Sequence, residues 1–140
     1  MPFTRISCRQ DCSDDEIDRI SAILHQALVS EFAVPEKDRF QIFERVPERL
    51  RVFDSHYLSA GRTQNFLLFQ ITAGKMRTRE QKQNFYRALS DGLQRELGVS
   101  PADVMVVIQF TQAEDWSFSA GTLFTPAVAV LPASPASGGK

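Results

Sequence analysis

Residues 13–32 read SDDEIDRISAILHQALVSEF and have the pattern of an amphipathic helix. Ser13 and Glu16 form a capping box, because the serine hydroxyl can accept the third helical N–H while the glutamate reaches back to the cap. Apolar residues then recur on one face at helical spacing, at Ile17, Ile20, Leu24, Ala27 and Leu28. The pattern predicts a helix that runs to about Phe32, since Pro35 cannot continue it.

Strand-like segments lie on both sides of this helix. Pro2 to Cys8 alternates apolar and polar residues, and Arg39 to Val46 alternates again after a polar turn. Strand, helix and strand in this order form a β-α-β unit, whose two strands are parallel and joined by a right-handed crossover.

The same plan returns in the second half of the chain. Asn65 to Thr72 is an apolar strand, Thr78 and Gln81 make a second capping box, Gly98 ends the helix, and Val104 to Phe110 is a β-branched strand. We therefore predict an α+β (α/β) fold of two β-α-β units, at about residues 2–47 and 65–111, with a four-stranded sheet and both helices on one face.

The chain is expected to contain one domain, residues 1–125, followed by a flexible tail at 126–140 that is rich in Pro, Ala, Ser and Gly. Two helices cover only one face of the sheet. The strands at residues 67–69 and 104–108 are apolar on both sides, which predicts that the other face packs against further subunits of an oligomer.

Charge and composition exclude several classes of partner and site. Sixteen basic and seventeen acidic residues give a net charge of -1, so neither nucleic acid nor a membrane surface is an expected partner. With no long apolar run and no signal-peptide pattern, a cytoplasmic protein is expected. Cys8 and Cys12 are interpreted as structural, and with only His25 and His56 besides them we expect no metal site.

Pro2 is a candidate catalytic residue. Removal of Met1 would leave a secondary amine at the start of a strand, and α-amino groups titrate near ~7.7 to 8.0, so this one could act as a base or as an acid. Position alone does not establish that role, because proline is a common second residue.

Three further segments accompany Pro2: VPEKDRFQ at residues 34–41, KMR at 75–77 and DWSF at 115–118. With Pro2 they resemble the tautomerase superfamily, and within it most of all the malonate semialdehyde decarboxylases. The resembling segments span nearly the whole chain up to Thr125. It implies a tautomerase/MIF-like fold, a homotrimer, and a cofactor-independent lyase that decarboxylates a short 3-oxo acid such as malonate semialdehyde.

The resemblance also implies roles for particular residues. Pro2, Asp38 and Arg77 would be catalytic, and Trp116 and Phe118 would bind a small carboxylate substrate. Where the decarboxylases carry Arg-x-Arg, this sequence has Lys75-Met76-Arg77, or Arg77-Thr78-Arg79 in a register shifted by two residues. Lys75 and Arg79 are therefore candidate substrate-binding residues as well.

Elementary electrostatics leaves the reaction open. A carboxylate such as Asp38 near the Pro2 amine favours the cationic form of the amine, whereas Arg77 and burial favour the neutral form. A cationic amine can polarise a carbonyl and a neutral amine can condense with an aldehyde, and either would assist decarboxylation; a neutral amine can instead move a proton next to a carbonyl, as in a tautomerase or hydratase acting on 2-oxo or enol acids. A trimeric binding protein without catalytic activity is the third alternative, because a retained Met1 would convert the amine into an amide.

Overall fold

The computed structural model describes residues 1–125, and the tail predicted at 126–140 lies outside the described residues. The regular elements are β1 (Pro2–Arg9), α1 (Asp14–Phe32), β2 (Gln41–Val46), β3 (Leu67–Ala73), α2 (Arg79–Leu97) and β4 (Val104–Phe110). Short turns of 3-10 helix lie at Glu48–Leu50, Pro101–Asp103 and Ala113–Asp115. The predicted fold class, a mixed four-stranded sheet with two helices on one face, is confirmed.

The strand order in the sheet is β2-β1-β3-β4. β1 and β2 are parallel, as are β3 and β4, so both predicted β-α-β units are present. The two units join through antiparallel pairing of β1 with β3. β3 begins at Leu67, two residues later than predicted, because the N–H of Asn65 bonds to the hydroxyl of Thr63 in a turn. β2 begins at Gln41, also two residues later than predicted.

Both helices begin at the predicted capping boxes. The N–H of Glu16 donates to the Ser13 hydroxyl at 3.1 Å, and the N–H of Gln81 donates to the Thr78 hydroxyl at the same distance. α2 ends at Gly98, whose φ of 68° is the left-handed conformation expected there. α1 ends in the same conformation at Ala33, with φ of 54°.

The core lies between the sheet and the helices, and its largest fully buried side chains are Phe32, Phe69, Phe85, Ile6, Leu24, Leu28, Ile71, Leu89 and Leu93. The opposite sheet face is open and mixed in character. Ile42 and Val107 are 38% and 46% exposed on it, and Arg5 pairs with Glu44 at 3.2 Å. In residues 1–125 no helix combines the length and the apolar character that a membrane span requires.

Close packing of the two helices generates a first prediction. A Cβ added at Gly92 of α2 would lie 2.9 Å from Cγ2 of Ile23 in α1, and that methyl group is held by a stiff β-branched side chain. Overpacking costs about 1–3 kcal/mol, against a gain of about 1 kcal/mol in helix propensity. We expect Gly92→Ala to lower the free energy of unfolding measured in urea.

The matched control is the same substitution in an Ile23→Ala background. There the clash is absent, so Gly92→Ala should stabilise the protein. Stabilisation by Gly92→Ala in the unaltered chain would contradict the packing argument.

Candidate active site

A cavity of about 580 Å³ opens where β1 begins. It is lined by Met1, Pro2, Phe3, Lys37, Asp38, Arg39, Phe40, Trp116, Ser117, Phe118 and Phe124. These residues come from the start of β1, from the segment between α1 and β2, and from the segment after β4. The cavity therefore contains the predicted residues Pro2, Asp38, Trp116 and Phe118.

Strand directions explain why these segments meet. Thr4 of β1 is paired with Gln41 in parallel, so the segment before β2 lies beside the start of β1. Pro2 is paired with Ala73 in antiparallel orientation, and Ala73 is paired with Phe110. The segment that follows β4 therefore reaches the same edge of the sheet.

The free amine in this structure belongs to Met1, since the nitrogen of Pro2 is part of a peptide bond. The Met1 ammonium lies 3.7 Å from a carboxylate oxygen of Asp38. Pro2 is buried. The Met1 side chain lies against Gly74, where an added Cβ would be 3.6 Å from the Met1 Cγ and 3.3 Å from the Trp116 Nε1. The absence of a side chain at Gly74 thus leaves room for both groups.

Burial and neighbouring charges set the ionisation of this amine. Burial is the largest influence and lowers the pKa of the Met1 amine below its ordinary value of 8.0. The Asp38 carboxylate opposes that shift, and the positive charge of Arg77 adds to it. The net effect is a lowered pKa, so the neutral amine is more available near pH 7 than in an unfolded chain.

Arg77 lies near the amine but outside the cavity lining. One of its nitrogens donates to the carbonyl of Phe32 at 2.8 Å, another donates to the carbonyl of Lys75, and the guanidinium carbon lies 4.9 Å from the Phe32 ring centre. Burial lowers the pKa of Arg77. Lys75 and Arg79 are exposed and also lie outside the lining. The catalytic role of Arg77 and the binding roles of Lys75 and Arg79 therefore stay predictions.

The cavity wall after β4 is aromatic and well fixed. The rings of Trp116 and Phe118 are stacked with centres 5.2 Å apart, and Phe124 meets Phe118 edge-on at 5.1 Å. The indole N–H of Trp116 donates to the Thr111 hydroxyl at 2.6 Å. This wall can hold the apolar part of a small ligand against the amine.

Some lining residues were not predicted to belong to the site. Lys37 and Arg39 flank Asp38 in the motif at residues 34–41, and their exposed side chains add two positively charged groups to the cavity lining. That proximity in sequence is a signal that could have identified them. Phe124 has no such signal, because its position depends on its N–H donating to the Trp116 carbonyl at 3.0 Å.

The cysteines lie away from this cavity. Cys8 and Cys12 are buried and unpaired, and burial raises the pKa of both thiols, that of Cys12 to about 12. Such thiols are poor nucleophiles, which agrees with their interpretation as structural residues. Within residues 1–125, no three His, Cys, Asp or Glu side chains are grouped so that they could hold a metal ion.

Known protein families, sequences and solved structures include relatives of this chain. The family model described as tautomerase enzyme matches residues 38–119. This chain belongs to the tautomerase family. A probable tautomerase of Bacillus subtilis (strain 168), YusQ, is 35% identical over 121 residues, which cover 86% of this chain and 95% of the relative.

Two solved structures extend the family relationship. Malonate semialdehyde decarboxylase, described with decarboxylase and hydratase activities, is 30% identical, with a TM-score of 0.80 over 86% of this chain and 93% of its own. A fused 4-OT, described as a symmetric trimer, is 20% identical, with a TM-score of 0.72 over 90% and 98% of the two chains. The second likeness supports the fold alone.

The Asp38 contact generates a second prediction. Asp38→Asn removes the carboxylate that raises the pKa of the terminal amine, so that pKa should fall further below 8.0. An NMR titration of protein labelled with ¹⁵N at its first residue measures it. Between the folded and unfolded pKa values the unfolded chain binds more protons, so stability rises with pH through that window, and Asp38→Asn should extend the window towards lower pH.

Asp91→Asn, which removes an exposed carboxylate from α2, is the matched control and should leave the amine unchanged. An unchanged amine titration in Asp38→Asn would show that Asp38 is not its electrostatic partner.

Proposed function

We propose that this protein is a cofactor-independent enzyme whose catalytic group is the nitrogen of Pro2, exposed by removal of Met1, and that it decarboxylates a short 3-oxo acid such as malonate semialdehyde. The observation that carries the proposal is the common cavity of Pro2, Asp38 and the aromatic wall at the start of β1. The likeness to malonate semialdehyde decarboxylase, at 30% identity over most of both chains, supports the choice of reaction.

In this reaction the bond between C2 and the carboxyl carbon of the substrate breaks. Its electron pair moves towards the 3-oxo group, where a protonated Pro2 amine donates a hydrogen bond to the carbonyl oxygen and stabilises the enolate. Carbon dioxide leaves, and C2 then takes a proton. Malonate semialdehyde thus consumes one proton and yields acetaldehyde and carbon dioxide, with Asp38 favouring the protonated amine.

The charges and the wall of the cavity have complementary roles in this scheme. Lys37 and Arg39 line the cavity and can attract the substrate carboxylate, and the nearby Arg77 is a further candidate anchor. Trp116 and Phe118 offer an apolar surface on which a carboxylate is poorly solvated. That surface favours conversion of the charged group into neutral carbon dioxide.

Tautomerisation of 2-oxo or enol acids is the second candidate, and hydration of such acids is a related one. The specific observation in favour of tautomerisation is burial at the start of β1, which lowers the pKa of the Met1 amine and would favour the neutral form of a Pro2 amine exposed at the same place. A neutral Pro2 can take a proton from the carbon next to a carbonyl and return it elsewhere. The curated relative is itself described as a probable tautomerase.

The third prediction tests the role of Pro2. Protein shown by intact mass to lack Met1 is incubated with malonate semialdehyde and with phenylenolpyruvate, and the products are followed by NMR. We expect acetaldehyde from the first substrate, and Pro2→Ala should reduce kcat/KM by about tenfold or more, because the remaining primary amine is more flexible and has a different basicity.

Protein that retains Met1 is the control, since an amide nitrogen at Pro2 has neither the basicity nor the nucleophilicity that the reaction requires. Full activity with Met1 in place would refute the proposed role of Pro2. Borohydride added during turnover separates two mechanisms: an iminium between Pro2 and an aldehyde would leave a mass adduct on the amino-terminal peptide, whereas acid-base chemistry would leave none.

The fourth prediction concerns assembly, which we propose to be a homotrimer formed through the open face of the sheet. Val107 and Ile42 are partly exposed on that face, and the fused 4-OT with the same fold is described as a trimer. Sedimentation at micromolar concentration should give the mass of three chains. Val107→Glu should dissociate the assembly, because it buries a charge in the contact.

Gln94→Glu adds the same charge on the outer side of α2 and should leave the assembly intact. A monomer in sedimentation of the unaltered chain would contradict the proposal.

A further inference from the structure

One stripe of α1 holds the segment that carries Asp38. The stripe consists of Ser21, His25, Leu28 and Phe32, which recur at helical spacing and share one face. Three of them bond to residues 34–41, which turn back along the helix towards β2. This contact between helix and segment explains how a loop residue acquires a fixed position.

The bonds along the stripe are specific. The Ser21 hydroxyl lies 2.5 Å from the side-chain oxygen of Gln41, the carbonyl of Leu28 accepts from the N–H of Val34 at 3.2 Å, and Nε2 of His25 lies 2.7 Å from the carbonyl oxygen of Glu36. Of these three, only the His25 bond reaches the middle of the segment.

The chemistry of His25 fixes its tautomer. A carbonyl oxygen only accepts, so Nε2 carries the hydrogen and donates it. Nδ1 is buried and has no hydrogen-bond partner among residues 1–125, and the residue as a whole is only 6% exposed. A buried nitrogen without a partner costs free energy, and a leucine of similar size would avoid that cost. Packing alone therefore does not account for a histidine here.

The bonded carbonyl belongs to the turn that presents Asp38. The N–H of Asp38 donates to the carbonyl of Pro35 at 2.9 Å, which closes a four-residue turn over Pro35–Asp38. Glu36 lies inside that turn, and its carbonyl is fixed by His25. Rotation of the turn would carry the Asp38 carboxylate away from the terminal amine, which it now approaches to 3.7 Å.

We propose that His25 is a positioning residue: by holding the carbonyl of Glu36 it fixes the turn that keeps Asp38 beside the amino-terminal nitrogen. Its consequence for catalysis rests on the proposed function, but its effect on the amine does not. The charged groups that act on that amine are Asp38 and Arg77. Lys37 and Arg39 line the same cavity, and Lys37 lies in the turn that His25 holds.

The test measures the pKa of the amino-terminal nitrogen by ¹⁵N NMR titration, whichever residue is first in the purified chain. His25→Leu removes the donor and should increase the acid dissociation constant of the amine up to about tenfold, in the direction produced by Asp38→Asn. In an Asp38→Asn background, His25→Leu should cause no further change. His56→Leu, at an exposed histidine, is the matched control and should have no effect.

A second pair of variants decides the question if His25→Leu does not fold. The amide nitrogen of a glutamine can reach the position of Nε2, whereas that of an asparagine is one methylene too short. His25→Gln should therefore retain the titration of the unaltered protein, and His25→Asn should shift it. Loss of stability in His25→Leu with an unchanged amine titration, or identical titrations in the Gln and Asn variants, would reduce His25 to a packing role.

An activity assay distinguishes the positioning role of His25 from the proposed function. If the titration responds to His25 as expected but neither malonate semialdehyde nor phenylenolpyruvate is converted, the positioning role stands and the proposed function fails. If the protein converts substrate but the titration does not respond to His25, the function stands and the positioning role fails.

Discussion

The antiparallel pairing of β1 with β3 is the constraint on which the rest of the structure depends. Each β-α-β unit could form its own parallel strand pair, but only this pairing brings the start of β1 to the edge where β3 and β4 end. The register places Pro2 opposite Ala73, and the carbonyl of Ala73 also accepts from the N–H of Thr111 at 2.9 Å. The amino terminus is thereby joined to the segment that leads to Trp116. A terminal group that would fray in most proteins is held in a cavity instead.

The sequence predicts best what depends on neighbours along the chain. The caps at Ser13 and Thr78 each involve residues three positions apart, so their pattern is sufficient to place both helix starts. The site residues Pro2 and Asp38 were predicted through resemblance, because periodicity contains no information about which loops meet. The bond from Arg77 to the Phe32 carbonyl joins distant segments, and the lining residue Phe124 is placed by a bond to the Trp116 carbonyl that no periodic pattern indicates. The left-handed conformation of Ala33 at the end of α1 could not be predicted either, because alanine rarely adopts that conformation.

The terminal amine is subject to opposed influences of different origin. Burial at the start of β1 favours the neutral base, whereas Asp38 favours the ammonium ion. A protonated amine can polarise the carbonyl of a 3-oxo acid, whereas a neutral amine can take a proton next to a carbonyl or condense with an aldehyde. Under the proposed function, the balance between the candidate reactions would follow the balance between these two forms, which Asp38 shifts towards the ammonium ion.

Both charged groups that act on this amine are attached to the second half of α1. Asp38 is held through the bond from His25 to the Glu36 carbonyl, and Arg77 is held through the Phe32 carbonyl at the end of the helix. α1 has no basic residue in its last turn, so the guanidinium of Arg77 supplies the positive charge that the partial negative charge of a helix end favours. That bond occupies one edge of the guanidinium and restricts how it can turn towards a substrate carboxylate. Movement of α1 against the sheet would displace Asp38 and Arg77 together. Because the two charges shift the pKa of the amine in opposite directions, such a movement would change two opposed influences at once.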